Sequence, residues 1–233
     1  VNHPEEFEQQ VTHDYTGSRG KEYHNSVNLV PDNVYPWIAR RRREKILPFV
    51  GPEDAILEYG VGTGWNIAEI SCRTRMGYDI STHLGPIVKK YGIEFIADIT
   101  DVLDESLDLV ICHHVLEHVP HPSRVLQEAR RITRSGGKLL LFVPYEIERR
   151  YRKFRVDEPN HHLYSWNVQT LGNLVTQCGF RVIRGDIRRF GYDRFAGVWA
   201  NRFHMGEKGY RMIQRMVHLL RPMFEVAVVA ERK

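Results

Sequence analysis

Residues 58–64, Glu58-Tyr59-Gly60-Val61-Gly62-Thr63-Gly64, decide how this chain is read. They close the short apolar run Ala55-Ile56-Leu57 and precede Trp65 to Cys72, a segment with the pattern of a helix. Glycines at alternate positions between a strand and a helix allow φ > 0 and let a ligand approach the main chain closely. The run is not the dinucleotide fingerprint G-x-G-x-x-G, because Trp65 stands where the third glycine belongs. An acid two residues before the first glycine would repel a pyrophosphate. No Gly-Lys-Ser/Thr follows, which excludes a P-loop. Glu58 beside these glycines suits a cationic ligand.

Outward from the loop, strand and helix patterns alternate. Met76 to Asp79, Glu94 to Asp98, Leu107 to Cys112 and Lys138 to Val143 read as short strands. Pro122 to Thr133 reads as a helix with an apolar face of Val125, Leu126, Ala129 and Ile132, stopped by Ser135-Gly136-Gly137. Val34 to about Phe49 reads as an earlier helix, with Arg40 to Arg43 on its solvated side. Asn167 caps a helix that Gly179 ends, Phe180 to Ile183 starts a strand, residues 195–220 are partly helical, and Phe224 to Ala230 is a closing strand. Such alternation predicts βαβ units and a mostly parallel sheet covered on both faces. Residues 1–50 form an N-terminal arm and helix, and residues 51–233 a single α/β domain with an insertion at about 145–166. In the arm, Tyr15, Arg19, Tyr23 and His24 are candidates to close over a ligand.

Two further acids follow the glycines. Asp79 ends the second strand, at the distance in sequence where an acid accepts hydrogen bonds from ribose hydroxyls, and Asp98 ends the third, within reach of an adenine amine. Ribose, adenine and a cationic sulfonium amino acid together describe S-adenosylmethionine.

Residues 56–70, ILEYGVGTGWNIAEI, resemble the first motif of the class I S-adenosylmethionine-dependent methyltransferases. GYDIS and FIADIT resemble the second and third motifs. Residues 107–144 are similar to the fourth-to-fifth-strand region of the small-molecule branch that includes the ubiquinone O-methyltransferases, and residues 160–182 to that branch's segment before the sixth strand. The resemblance implies a Rossmann-like, doubly wound, seven-stranded sheet with its last strand antiparallel and helices on both faces. It implies that Gly60, Gly62 and Gly64 line the methionine portion and that Asp79 holds the ribose. Asp98 and Ile99 would flank the adenine and His113 would lie under the cofactor, with Glu58 and Ile80 also among the cofactor-binding residues.

Half of the twelve histidines cluster as His113, His114, His118, His121, His161 and His162. Methyl transfer to a hydroxyl needs a positioned acceptor and a group to remove its proton, and histidine titrates in the right range. His114 and His162 are the candidate bases, with His118 and Tyr145 as candidate acceptor-binding groups; Glu117-His118 also reads as purely structural. His114-Val115-Leu116-Glu117-His118 matches H-x-x-E-H literally, but a strand precedes it and Pro120 and Pro122 follow, which opposes a zinc-peptidase helix. Some relatives use Glu-x-x-Glu-His for a divalent metal. Here His114 replaces the first Glu, so a metal held by His114, Glu117, His118 and His161 or His162 is an alternative and is not favoured.

The chain has 233 residues, enough for one domain, and no apolar run long enough to cross a membrane. Cys72, Cys112 and Cys178 are widely spaced, which fits a reducing cytoplasm, and the N-terminus shows no signal-peptide pattern. Net charge divides as −8 over residues 1–120 and +12 over residues 121–233. Arg149, Arg150, Arg152, Lys153 and Arg155, with Tyr151 and Phe154, form a basic and aromatic stretch in the insertion. Arg188, Arg189 and Arg194 follow later, near Tyr192 and Phe195. These features suit a small acceptor that is anionic or sugar-like. They leave open a tRNA or rRNA methyltransferase, and a module that binds the cofactor or a partner without turnover.

Overall fold

The computed structural model describes residues 13, 15–28, 30–147, 152–156 and 160–233. Helices α1 (Gly17–Asn28) and α2 (Tyr35–Arg43) precede the sheet. Then follow β1 (Ala55–Tyr59), β2 (Thr74–Tyr78), α3 (Gly85–Lys89), β3 (Glu94–Ile96), β4 (Leu107–His113), α4 (Pro122–Ile132) and β5 (Thr133–Pro144). The chain continues through α5 (Val168–Gln177), β6 (Phe180–Arg189), α6 (Asp193–Arg202), α7 (Gly206–Leu220) and β7 (Phe224–Arg232). The strands form one sheet in the order β3-β2-β1-β4-β5-β7-β6. β1 to β5 pair in parallel, and β7 lies antiparallel between β5 and β6. The expected seven-stranded, doubly wound fold with an antiparallel last strand is the one observed.

Period-2 alternation sorts the strand residues between the two faces. On one face Leu57, Val110, Cys112, Leu139, Leu141 and Val228 pack against Val125, Leu126 and Ala129 of α4 and Leu171 and Val175 of α5. On the other, Ile56, Leu109, Ile111, Leu140, Phe142 and Val229 meet Ile46, Val61, Ile67 and Val88. A third core joins Ile38 and Ala39 of α2 to Ala196 and Ala200 of α6 and Tyr210 of α7. The strand order reverses between β1 and β4, so their carboxyl ends open the crevice where ligands bind such sheets.

Several local expectations are corrected. Residues 65–72 form turns and no helix. The carbonyls of Ile67 and Ala68 accept from the Arg75 guanidinium and that of Glu69 from Arg43, so side chains occupy acceptors that an α-helix would use. The helix expected over 34–49 ends at Arg43, and a 3₁₀ turn at Leu47–Phe49 containing Pro48 follows. The break turns Ile46 and Lys45 inward. Gly136 and Gly137 do more than stop a helix: β5 already starts at Thr133, and the glycines lie where its register with β4 shifts. The partly helical stretch at 195–220 is two helices, α6 and α7.

Candidate active site

A cleft of about 560 Å³ opens at the carboxyl ends of β1, β2 and β4. Of the candidate site residues, Gly60, Gly62, Asp79, Ile80, His113, His114, His118, Tyr145 and His162 line it. Tyr15 and His24 from the arm line it too.

The glycine loop is shaped for a ligand. Gly60, Gly62 and Gly64 have φ of 75, 51 and 82°. The amides of Gly60 and Val61 donate to Tyr78 O at 2.7 and 2.9 Å, which folds the loop against the end of β2. A Cβ on Gly60 would lie 2.2 Å from Val115 Cγ2, whereas one on Gly62 would meet nothing within 4 Å. Gly62 therefore presents bare backbone to open space, while Gly64 faces Ile93 and lies outside the lining. Asp79 accepts from Gly62 N and Ser81 N, both at 2.9 Å, which locks its carboxylate beside the loop. Glu58 is fully buried and does not itself line the cleft, but it bonds Asn66, which does. One oxygen accepts from Asn66 Nδ2 and Oε2 has no partner. Burial pushes the Glu58 carboxyl up to about 8. An orphaned buried carboxyl oxygen under close-approach glycines fits the cationic amino-acid end of S-adenosylmethionine. Asp98 and Ile99 do not line the cleft. Asp98 is exposed and accepts from Thr100 N, capping a 3₁₀ turn, and Ile99 belongs to the core.

Two histidine groups face the rest of the cleft. In the first, the His113 and His114 rings stack with centroids 4.3 Å apart. His114 holds φ 56° while its amide donates to Phe142 O at 2.8 Å. Lys45 Nζ donates to Glu225 Oε1 and Oε2 at 2.8 and 2.9 Å and lies 2.7 Å from His113 Nε2. His114 Nε2 stands 3.4 Å from Glu225 Oε2. Burial opposes charge on Glu225, yet Lys45 and the two histidines hold it well below the usual carboxylate range. Burial lowers both histidines, so they stay neutral. Sequence reasoning missed Lys45 and Glu225; the signal was a single acid in the otherwise apolar run Phe224 to Ala230.

In the second group, Tyr15 Oη lies 2.8 Å from His118 Nδ1, and the His118 and His162 rings meet edge to face at 4.8 Å. His162 Nδ1 lies 2.5 Å from Glu146 Oε1. Burial, with His162 next, lowers His118 to about 3. Burial raises Glu117 to about 8; neither of its carboxyl oxygens has a hydrogen-bond partner, though Oε1 lies 3.8 Å from both His114 Nδ1 and His118 Nε2. The Glu117 carbonyl accepts from Leu163 N at 2.7 Å, which ties the insertion to the end of β4. His161 is exposed and outside the lining. Arg149, Arg150 and Tyr151 lie outside the described residues, as does the side chain of Tyr23.

Each group brings three ligand-type atoms within 4.8 Å of one another. In the first, the Lys45 ammonium already fills the place of a cation. In the second, Glu117, His118 and His162 have the donor chemistry for a divalent ion.

A sheet of this order, with a glycine loop and an acid at its switch point, defines a Rossmann-like domain. A family model for a methyltransferase domain matches residues 36–184, and the chain belongs to that family, the S-adenosylmethionine-dependent methyltransferases. Among curated proteins it is 31% identical to a phosphatidylethanolamine N-methyltransferase of Cereibacter sphaeroides over 98 residues, 37% of this chain and 48% of that one. It is 34% identical to a human thiol S-methyltransferase over 102 residues, 38% of this chain and 41% of that one. The chain thus spans less than half the length of these curated relatives. A crystal structure of an S-adenosylmethionine-dependent methyltransferase from Thermotoga maritima shares the fold, with a TM-score of 0.62 at 17% identity, covering 96% of this chain and 100% of that one.

Proposed function

We propose that this chain transfers the methyl group of S-adenosylmethionine to a hydroxyl oxygen of a small, neutral, sugar-like acceptor, with His162 as general base. The observation that carries this reading is the 2.5 Å contact between His162 Nδ1 and Glu146 Oε1. A carboxylate there fixes the proton on Nδ1 and leaves Nε2 to accept one, as in other carboxylate–histidine dyads. When bound, S-adenosylmethionine supplies an electrophilic methyl group on a sulfonium. Gly62 and Asp79 would hold it, Glu58 would balance its cationic end, and Ile80 would cover the ribose. With the cofactor bound, His162 would take the acceptor's hydroxyl proton as the methyl group passes from sulfur to that oxygen and S-adenosylhomocysteine leaves as the neutral thioether, and Glu146 would stabilise the resulting imidazolium. His118, neutral and held by Tyr15, and Tyr145 orient the acceptor by hydrogen bonds.

The lining supports a neutral acceptor over an anionic one. Among the described residues its one guanidinium, Arg42, is bonded to Asp193 at 2.9 Å, while Asp79, Glu117 and Glu146 also face the cleft. His114 gives a second reading of the base, supported by its 3.4 Å approach to Glu225. Labelled methyl transfer to a panel of sugars, carboxylates, phosphates and RNA tests both parts. Transfer to a neutral hydroxyl compound is expected, with turnover about 10²–10⁴-fold lower in His162→Ala and cofactor affinity retained. Transfer only to anions or RNA would remove the acceptor reading. Normal turnover in His162→Ala with loss in His114→Ala would move the base to His114.

A further inference from the structure

Helices α6 and α7 form an excursion from the sheet whose neck sits at the cleft. Phe190 N donates to Met223 O at 3.1 Å, and both side chains line the cleft. The inner faces are firmly seated. Ala196, Ala200 and Tyr210 belong to the core shared with α2. Asp193 accepts from Arg42, Tyr210 and Gln214 at 2.9, 2.8 and 2.7 Å.

The outer faces are apolar. Phe195, Trp199 and Phe203 recur at i, i+4 and i+8 and form a ring ladder with centroids 6.0 and 5.5 Å apart. They are 48, 43 and 57% exposed. On α7, Met212, Met216 and Leu219 repeat at helical spacing and are 47, 55 and 73% exposed. Scattered exposed apolar residues need no explanation, but stripes on two packed helices mark an interaction surface. The exposed charges on the two helices have one sign, while Glu44 at the end of α2 is bonded to Arg211 of α7 at 2.6 Å. Asp193 and Glu207, the acids of the two helices, turn inward onto Arg42 and onto Arg40 and Arg211. The exposed charged side chains on or beside these helices are Arg194, Arg202, Lys208, Arg215 and Arg221.

We infer that the α6–α7 outer face docks on an anionic lipid surface, with the aromatic, Met and Leu side chains entering the interface and the arginines and lysine meeting the headgroups. Aromatic and aliphatic stripes edged by basic residues are the chemistry of helices that lie in a bilayer interface. Long basic side chains keep their charge in the headgroup layer while their stems lie against apolar surface. The basic edge favours this occupant over a second copy, whose like charges would face one another. Docking there would bring the cleft, through its Phe190–Met223 neck, close to the lipid–water boundary.

The test is flotation of the purified chain with vesicles of phosphatidylcholine alone and of phosphatidylcholine mixed with phosphatidylglycerol. About tenfold stronger binding to the anionic vesicles is expected, weakened by salt. The doubles Trp199→Ser/Phe203→Ser and Arg202→Glu/Arg215→Glu should each lower it about tenfold while leaving circular dichroism and cofactor affinity unchanged. The charge pair lies wholly at the surface and serves if the aromatic pair fails to fold. The inference is overturned by three results: no binding to anionic vesicles, binding that survives both doubles, or a dimer in solution that Trp199→Ser/Phe203→Ser dissociates.

Discussion

At the scale of the residue, charge decides most of what the cleft does. Glu225 and Lys45 are buried together, and a buried pair is most costly when one partner is removed. We expect Glu225→Ala to lose about 3–5 kcal/mol of stability, read by denaturant unfolding. Glu58 and Glu117 behave in the opposite way. Burial lifts each from 4.5 to about 8, so the folded chain holds their protons where the unfolded chain releases them. Their contribution is fully present below pH 4.5 and is lost as pH rises through about 8. The unliganded protein should therefore melt at lower temperature as pH rises from 6 to 9, and less steeply in Glu58→Gln. A cation beside Glu58 favours its ionised form, so cofactor binding near neutral pH should release a proton. Calorimetry in buffers of different ionisation enthalpy measures that release, and its absence would separate Glu58 from the cationic end of the cofactor. Asp79→Ala should weaken cofactor binding without loss of fold, and unchanged affinity would remove Asp79 from the ribose site.

At the scale of the element, the loop after β1 has two kinds of glycine, and substitution separates them. At Gly60 an added Cβ would meet Val115 at 2.2 Å, so Gly60→Ala adds a clash to the strain of φ 75° and should cost about 2–4 kcal/mol. At Gly62 nothing is in the way, so Gly62→Ala should cost only the strain, about 1–2 kcal/mol, and act chiefly on cofactor affinity. Thermal melting and titration of the two variants check the contrast. The strands that frame this loop were legible because near-continuous apolar runs bounded by Gly, Asp and Pro leave few other readings. The segment after it was not. Trp65 to Cys72 has helical periodicity, but Arg43 and Arg75, distant in sequence or facing in from a strand, take its carbonyls. Tertiary partners of that kind leave no local pattern. The Asn167 cap was legible for the converse reason, since its partner Thr170 lies three residues on.

At the scale of the whole molecule, the sheet order puts four separated stretches around one cleft: the glycine loop, the end of β2, the histidines after β4 and the insertion after β5. The sequence revealed the first three because each sits at a strand end, where α/β sheets hold ligands, and it marked the insertion by its basic and aromatic residues and by Tyr145 and His162. It named Tyr15 only as an arm residue that closes over a ligand, and it did not reveal the other side chains that tune the histidines. Glu225 reaches them from the last strand, Lys45 from the turn after α2, Tyr15 from the arm and Glu146 from the insertion. Each comes from an element whose place depends on the finished fold. Among the described residues no helix is long and apolar enough to cross a membrane. The central claim is that the cleft binds an adenosyl sulfonium and its product. It is tested most directly by calorimetric titration of the purified chain with S-adenosylmethionine, S-adenosylhomocysteine and NAD. Saturable binding of the first two and none of NAD is expected, with a melting temperature that rises with adenosyl ligand concentration. Folded protein that binds neither adenosyl ligand, or binds NAD as well as either, would contradict it.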